Sequence, residues 1–218
     1  MTLEADLAVH LGRFSLDVAF EVANGEVLAL SGANGAGKTT ALHAIAGLVP
    51  LARGRIALDG EVLEDPAARI WVPPEARGIG FVFQDGRLFP HLSALENVAF
   101  GLRARGIARA KARGFALEWL ERMGLAALAG ARASTLSGGE ARKVALARAL
   151  AIAPHALLLD EPLSSLDEDA HIDVRDTLRQ HLADFAGPCV LVTHEPADAR
   201  MLCSRELLLV AGRSAEES

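Results

Sequence analysis

The chain has 218 residues, a formal charge of −6 and a mean hydropathy of +0.25, with about half of its residues apolar. That is enough apolar material for the core of one large α/β domain and excludes a disordered chain. Its 22 Lys and Arg are scattered among 28 Asp and Glu, which excludes a dedicated nucleic-acid surface, and two cysteines, Cys189 and Cys203, are too few for a disulfide framework and suit a reducing compartment.

Met1 to His10 carries Glu4 and Asp6 and lacks a basic flank before a long apolar run, so it is not read as a signal peptide. Leu3 to Val9 and Leu16 to Val22 alternate apolar with polar residues, and Val27 to Ser31 is a short apolar run ending in glycines; all three are predicted strands. Thr39 to Gly47 has helical spacing. Arg55 to Leu58 and Val62 to Leu63 flank Asp59-Gly60, a hairpin signal, and strand Ile79 to Phe83 follows. From Ser93 to about Pro154 the pattern is helical, broken at Gly106, Gly124 and Gly130. Strands return at Ala156 to Asp160, Cys189 to Thr193 and Leu207 to Val210, with a helix predicted from Glu168 to Phe185. Alternating strands and helices imply a mainly parallel sheet. The longest apolar runs, Ala156 to Leu159 and Leu207 to Val210, fall far short of the roughly 20 residues that span a bilayer, so any membrane role is expected to run through a partner.

Gly32-Ala33-Asn34-Gly35-Ala36-Gly37-Lys38-Thr39 matches the phosphate-binding P-loop pattern, follows an apolar strand and opens a helix. Glycines let the backbone amides turn toward phosphates, the helix amino terminus adds its positive dipole end, Lys38 neutralises the outer phosphates and Thr39 offers a hydroxyl to Mg²⁺. A plain strand-to-helix turn would explain glycines, but the full set of fixed positions coincides by chance in roughly one chain in a hundred or fewer. Ala156 to Glu161 is an apolar strand ending in two carboxylates, where Asp160 can hold a hydrated metal and Glu161 can orient water. By itself it reads sooner as a buried strand entering an acidic turn; the P-loop upstream reverses that preference. Leu136-Ser137-Gly138-Gly139-Glu140, before the helical run Ala141 to Ala153, offers a second anion site from Ser137, paired glycine amides and a helix start; in isolation it is an N-cap followed by glycines.

In this order the motifs resemble the ATP-binding subunits of ABC transporters, and the resemblance covers essentially the whole chain. Gln84 stands at the family's Q-loop, Leu163-Ser164-Ser165-Leu166-Asp167 resembles the D-loop, and His194 resembles the switch histidine. The resemblance implies a P-loop NTPase fold with a mainly parallel sheet, a small antiparallel β subdomain and an inserted helical subdomain: one domain over 1–218, with 1–84 and 155–218 as the ATP-binding core and 85–154 as the helical part. It implies that the loop from Gly32 to Thr39, with Thr40, Gln84 and Asp160, binds ATP. Thr39, Gln84 and, through water, Asp160 serve Mg²⁺, while Glu161 polarises the attacking water and His194 contacts the γ-phosphate. Ser137, Gly138, Gly139 and Glu140 act in trans across a head-to-tail dimer, beside Asp167. Two departures stand out: Glu140 where glutamine is commoner, and no identified adenine-stacking residue, since the chain lacks tyrosine and Phe14 falls in a strand pattern.

Phe83 to Ser93 resembles bacterial import ATPases, the molybdate importers most, and implies a transmembrane permease subunit contacting Arg87 to His91, with this chain cytoplasmic and peripheral on the inner face of the membrane. The other readings are a non-transport ABC ATPase acting as a nucleotide-gated clamp, disfavoured by the single cassette with a short insert, and a cassette that binds ATP without hydrolysing it, disfavoured by Glu161 and His194.

Overall fold

Strict alternation folds β1 (Thr2–Leu11) and β2 (Phe14–Ala23) as an antiparallel pair running from Leu3 opposite Val22 to Leu11 opposite Phe14. Leu3, Leu7, Val9, Leu16, Val18 and Val22 are buried. The structure is a computed structural model and describes residues 2–214. After β3 (Val27–Ser31) and helix α1 (Lys38–Ile45), β4 (Arg53–Leu58) pairs with the other edge of β1. β5 (Glu61–Asp65) returns through Asp59 and Gly60, both at positive φ (55° and 79°), as the sequence signal predicted for a two-residue hairpin. β6 (Ile70–Trp71) and β7 (Ile79–Val82) follow; the predicted strand to Phe83 stops one residue early.

Helices α2 (Ala94–Ala104), α3 (Arg109–Arg122) and α4 (Gly138–Ala151) occupy the predicted helical stretch, and β8 (Ala156–Asp160), α5 (Glu168–Ala183), β9 (Cys189–Val192), α6 (Pro196–Leu202), β10 (Arg205–Val210) and β11 (Arg213–Ser214) complete the chain. The strand order is β6-β5-β4-β1-β2-β11-β10-β3-β9-β8-β7. β3 lies parallel to both β10 and β9, and β9 lies parallel to β8. β8 and β9 are buried at every position, which is why they read as unbroken apolar runs rather than alternating ones. Among the described residues no helix is long and apolar enough to cross a membrane.

Contacts divide the chain into two compact units: one takes in the chain through Phe81, His155–Glu161 and the stretch from Leu182 onward, the other Val82–Pro154 and Pro162–His181. The first unit contains a buried ion pair. Arg77 donates to Glu64 at 2.6 Å, and the same guanidinium donates to the carbonyls of Val72, Ala44 and Ile45, while Glu64 accepts from the amide of Leu51 at 2.7 Å. Arg77 thereby satisfies carbonyls at the end of α1, which a helix leaves without intrahelical partners, and ties that helix to the antiparallel strands.

In the second unit Ser93 caps α2 by accepting from the amide of Glu96, and fully buried Asn97 accepts from the Phe89 amide and donates to the carbonyls of Phe89 and Ser93. All but the last two residues of α5 group with these helices because α4 packs on it: Lys143 pairs with Asp173 at 2.5 Å, and a Cβ added at Gly139 would stand 3.1 Å from the Ala170 Cβ.

Candidate functional site

β3 ends at Ser31 and α1 begins at Lys38, so residues 32–37 form the predicted glycine-rich loop. Gly37, at φ 108°, has two reasons to be glycine: the left-handed backbone, and the Phe14 ring and Leu16, which a Cβ would meet at 2.8 and 2.9 Å. Gly37 caps α1 without a side-chain hydrogen bond, so the first-turn amides face out of the helix start with no capping oxygen, the arrangement that receives an anion. Lys38 is 5% exposed and donates to the carbonyls of Gly32 (2.7 Å) and Ala33 (3.1 Å), which curls the loop around the ammonium. Asn34 and Gly35 are exposed, Ala36 is buried and Thr40 half-buried.

Asp160 closes β8 and is 3% exposed, and Thr39 donates its hydroxyl to Asp160 Oδ1 at 3.1 Å. Burial pushes the Asp160 carboxyl above the ordinary carboxylate range, with Glu161 adding to the shift; the Thr39 hydrogen bond and the charges of His43 and Lys38 pull the other way. The chain then turns sharply at Glu161, whose φ of 45° is uncommon outside glycine. The Glu161 amide donates to Val192 on β9 at 3.0 Å. Parallel register sets Asp160 opposite Val192, so the residues just beyond the strand ends converge: Glu161 Oε2 lies 3.6 Å from His194 Nδ1, with the imidazole half exposed and the carboxylate mostly buried. Lys38, Thr39, Asp160, Glu161 and His194 thus belong to one unit. A hydroxyl and a buried carboxylate are hard oxygen donors that fit a small divalent cation, and a second carboxylate beside an imidazole fits the holding of a water proton.

Gln84, the Ser137 to Glu140 segment and Asp167 belong to the other unit. Gln84 is exposed just beyond β7. Ser137 caps α4, accepting from the Glu140 amide at 3.3 Å, while the Glu140 carboxylate accepts from the Ser137 amide at 2.7 Å. This reciprocal capping box accounts for Glu140 where glutamine is commoner, since either side chain can accept in it. Asp167 accepts from the Ala170 amide at 2.9 Å and so starts α5.

A cleft of about 630 Å³ opens beside Gly35, lined by His10, Arg13, Phe14, Asp17, Arg53 and Arg213 among others. Phe14 has two roles: it packs on the core cluster and also lines this cleft. Sequence reading missed the three arginines because they come from three distant segments with no pattern of their own. Burial pushes the Cys203 thiol up to about 12, and Cys189, fully buried, also lies well above the ordinary thiol range, which keeps both as unreactive thiols.

The ABC transporter family model matches residues 16–164. The chain is 46% identical over 205 residues, 92% of its length, to the molybdenum import ATP-binding protein ModC of Mycobacterium tuberculosis, of which it spans 56%. It is 41% identical over 217 residues to the molybdate/tungstate import ATP-binding protein WtpC of Archaeoglobus fulgidus, spanning 87% of that protein, and 40% identical to the Fe(3+) ions import ATP-binding protein FbpC of Streptomyces avermitilis, spanning 99% of this chain and 61% of that one. A solved dimer of an ATP-binding cassette in a post-hydrolysis state, bound to ADP and Pi, superposes with a TM-score of 0.83 at 29% identity over 100% of this chain and 98% of that one. With the phosphate loop, the paired carboxylates and the Ser137 helix cap in place, the chain belongs to the ABC transporter family.

Proposed function

We propose that the chain is the ATP-hydrolysing subunit of an importer, binding Mg·ATP between two copies of itself and driving a separate membrane permease. The observation that carries this reading is the convergence of Lys38, Thr39, Asp160, Glu161 and His194 within one unit, with Thr39 3.1 Å from Asp160 and Glu161 3.6 Å from His194.

In this account the triphosphate lies along residues 32–40. Amides of the loop and of the start of α1 donate to its oxygens, and Lys38 exchanges its two loop carbonyls for phosphate oxygens, which are stronger partners for an ammonium. Mg²⁺ would be held by Thr39 and Gln84, with Asp160 acting through water, and would neutralise charge on the phosphates. Glu161 accepts a proton from the attacking water and His194 orients that carboxylate and contacts the γ-phosphate. The base and ribose enter the cleft beside Gly35, where Phe14 and Arg13 offer a ring face and a guanidinium plane.

Following the family resemblance and the dimeric ATP-binding cassette that this chain is similar to, Ser137 and Gly139 are assigned to the ATP of the second copy, in a head-to-tail pair. ATP held between two copies adds contacts only when the pair is closed, so binding closes it and hydrolysis releases it. The permease contact is assigned to Arg87 to His91, where the Phe89 ring meets His91 edge-on and the half-exposed Phe100 at a tilt. That contact would keep the chain on the cytoplasmic face of the membrane. The cargo is assigned as molybdate or a related oxyanion, on the strength of the relatives named for molybdenum import and for molybdate/tungstate import. The test is to purify the chain with its copurifying membrane proteins and measure ATP hydrolysis with molybdate, tungstate, sulfate or Fe³⁺. Stimulation by molybdate supports the assignment, and stimulation by Fe³⁺ alone overturns the cargo.

A further inference from the structure

One side chain with no role so far bridges two of the loops just described. Arg142, on the first half of α4 and half-buried, donates from Nη1 to the carbonyl of Phe83 at 3.3 Å and from Nη2 to the carbonyl of Ser164 at 3.2 Å. Phe83 immediately precedes Gln84, and Ser164 lies in the turn that ends at Asp167. Six residues along the same helix, roughly 9 Å, Arg148 donates from Nη1 to the carbonyl of Arg87 at 2.8 Å and from Nη2 to that of Gly86 at 2.7 Å.

The segment from Phe83 to Arg87 is therefore pinned at both ends by one helix, and the exposed Gln84 and Asp85 project between the pins. The segment also closes on itself. The Gly86 amide donates to the Phe83 carbonyl at 2.8 Å, Arg87 is held at φ 43°, and its guanidinium lies 4.4 Å from the centre of the Phe83 ring. A helix is stiff over two turns, and Ser137 caps the start of this one.

We propose that Arg142 is a positioning residue that ties the Gln84 loop and the Leu163–Asp167 turn to the Ser137 helix, so that the three shift as one body. A displacement applied at Arg87 to His91 then reaches Gln84, Ser137 and Asp167 together. Arginine suits the task because its planar fork reaches two carbonyls at once, whereas a lysine ammonium is a single point. The catalytic consequence rests on the reading given under Proposed function; the tie itself does not.

The experiment compares wild type, Arg142→Ala, Arg142→Lys and Arg148→Ala by amide hydrogen exchange of peptides covering 82–88 and 162–168, and by kcat and KM for ATP. Arg142→Ala is expected to lose protection in both peptides, and Arg148→Ala in 82–88 alone. Arg142→Ala should lower kcat on the order of tenfold, as a small misplacement of catalytic groups does, with KM within about twofold because Lys38 and Thr39 are untouched. Arg142→Lys keeps charge and length, so it should retain the wild-type melting temperature and KM while recovering less than half of the lost kcat; it carries the test if the alanine variant does not fold. Loss of protection in only one peptide, or full kcat in Arg142→Lys, overturns the proposal. A wild-type chain that hydrolyses no ATP would overturn the Proposed function instead, leaving the exchange pattern to decide the tie.

Discussion

Thr39 and Asp160, 121 positions apart in the chain, meet through a 3.1 Å hydrogen bond from hydroxyl to carboxylate. The pairing joins the first turn of α1 to the end of β8 and brings together two of the groups assigned to Mg²⁺, Asp160 acting through water. Thr39→Val keeps the shape and removes one oxygen, so the Mg²⁺ concentration for half-maximal ATP hydrolysis should rise on the order of tenfold, the weight of one modest ligand. A Mg²⁺ titration of steady-state phosphate release checks this; an unchanged midpoint would remove Thr39 from the metal.

Lys38 is buried among its own loop carbonyls, so its charge is already desolvated and aimed. Lys38→Ala should weaken ATP binding by about 1.5–3 kcal/mol, the scale of a charge-assisted hydrogen bond. Titration with fluorescent ATP measures it directly, and wild-type affinity would mean that the loop amides suffice.

The Arg77–Glu64 pair makes a prediction about stability rather than turnover. Arg77→Met leaves a carboxylate buried without its cation, a change that costs roughly 3–5 kcal/mol and should lower Tm by on the order of 10 °C in a chain of this size. Thermal melts with and without ATP follow it; a shift of under 3 °C would mean that water enters to solvate Glu64.

Neither member of that pair was legible in the sequence, because Glu64 and Arg77 belong to no motif and their burial comes from tertiary contacts with Leu51 and with the end of α1. The phosphate loop was legible because its residues are contiguous and its geometry is local. Asp160 was legible as the end of an apolar run, whereas Glu161 and His194 were joined only through resemblance, since what brings them together is the parallel register of β8 and β9. Strands β6 and β11 are two residues each and α6 seven, too short for any periodicity to register. Glu140 looked like a departure until its carboxylate was seen closing the cap on Ser137, a pairing that Ser-x-x-Glu spacing encodes. The lining of the cleft beside Gly35 was not legible at all, because its arginines come from the β1–β2 turn, β4 and β11.

If Ser137 serves the ATP of a second copy, damage to the two halves of the site should complement. Mixing Ser137→Arg chains with Lys38→Ala chains gives heterodimers with one doubly damaged site and one intact site, whereas each parent has every site damaged. The mixture should regain nucleotide trapping, and phosphate release where one site turns over alone, beyond either parent. Proven heterodimers with no gain in either readout would point to a site completed within one chain.

The central claim is that Glu161 activates the water that attacks ATP, and the most direct measurement is single-turnover ATP hydrolysis by wild type and Glu161→Gln, with particle mass recorded on the same samples. The substitution removes the proton acceptor while keeping the side chain's shape and the phosphate contacts of residues 32–40. The account predicts a rate lower by about 10²–10⁴-fold, the usual weight of a general base, with ATP retained and a dimer accumulating. Hydrolysis by Glu161→Gln near the wild-type rate would contradict it.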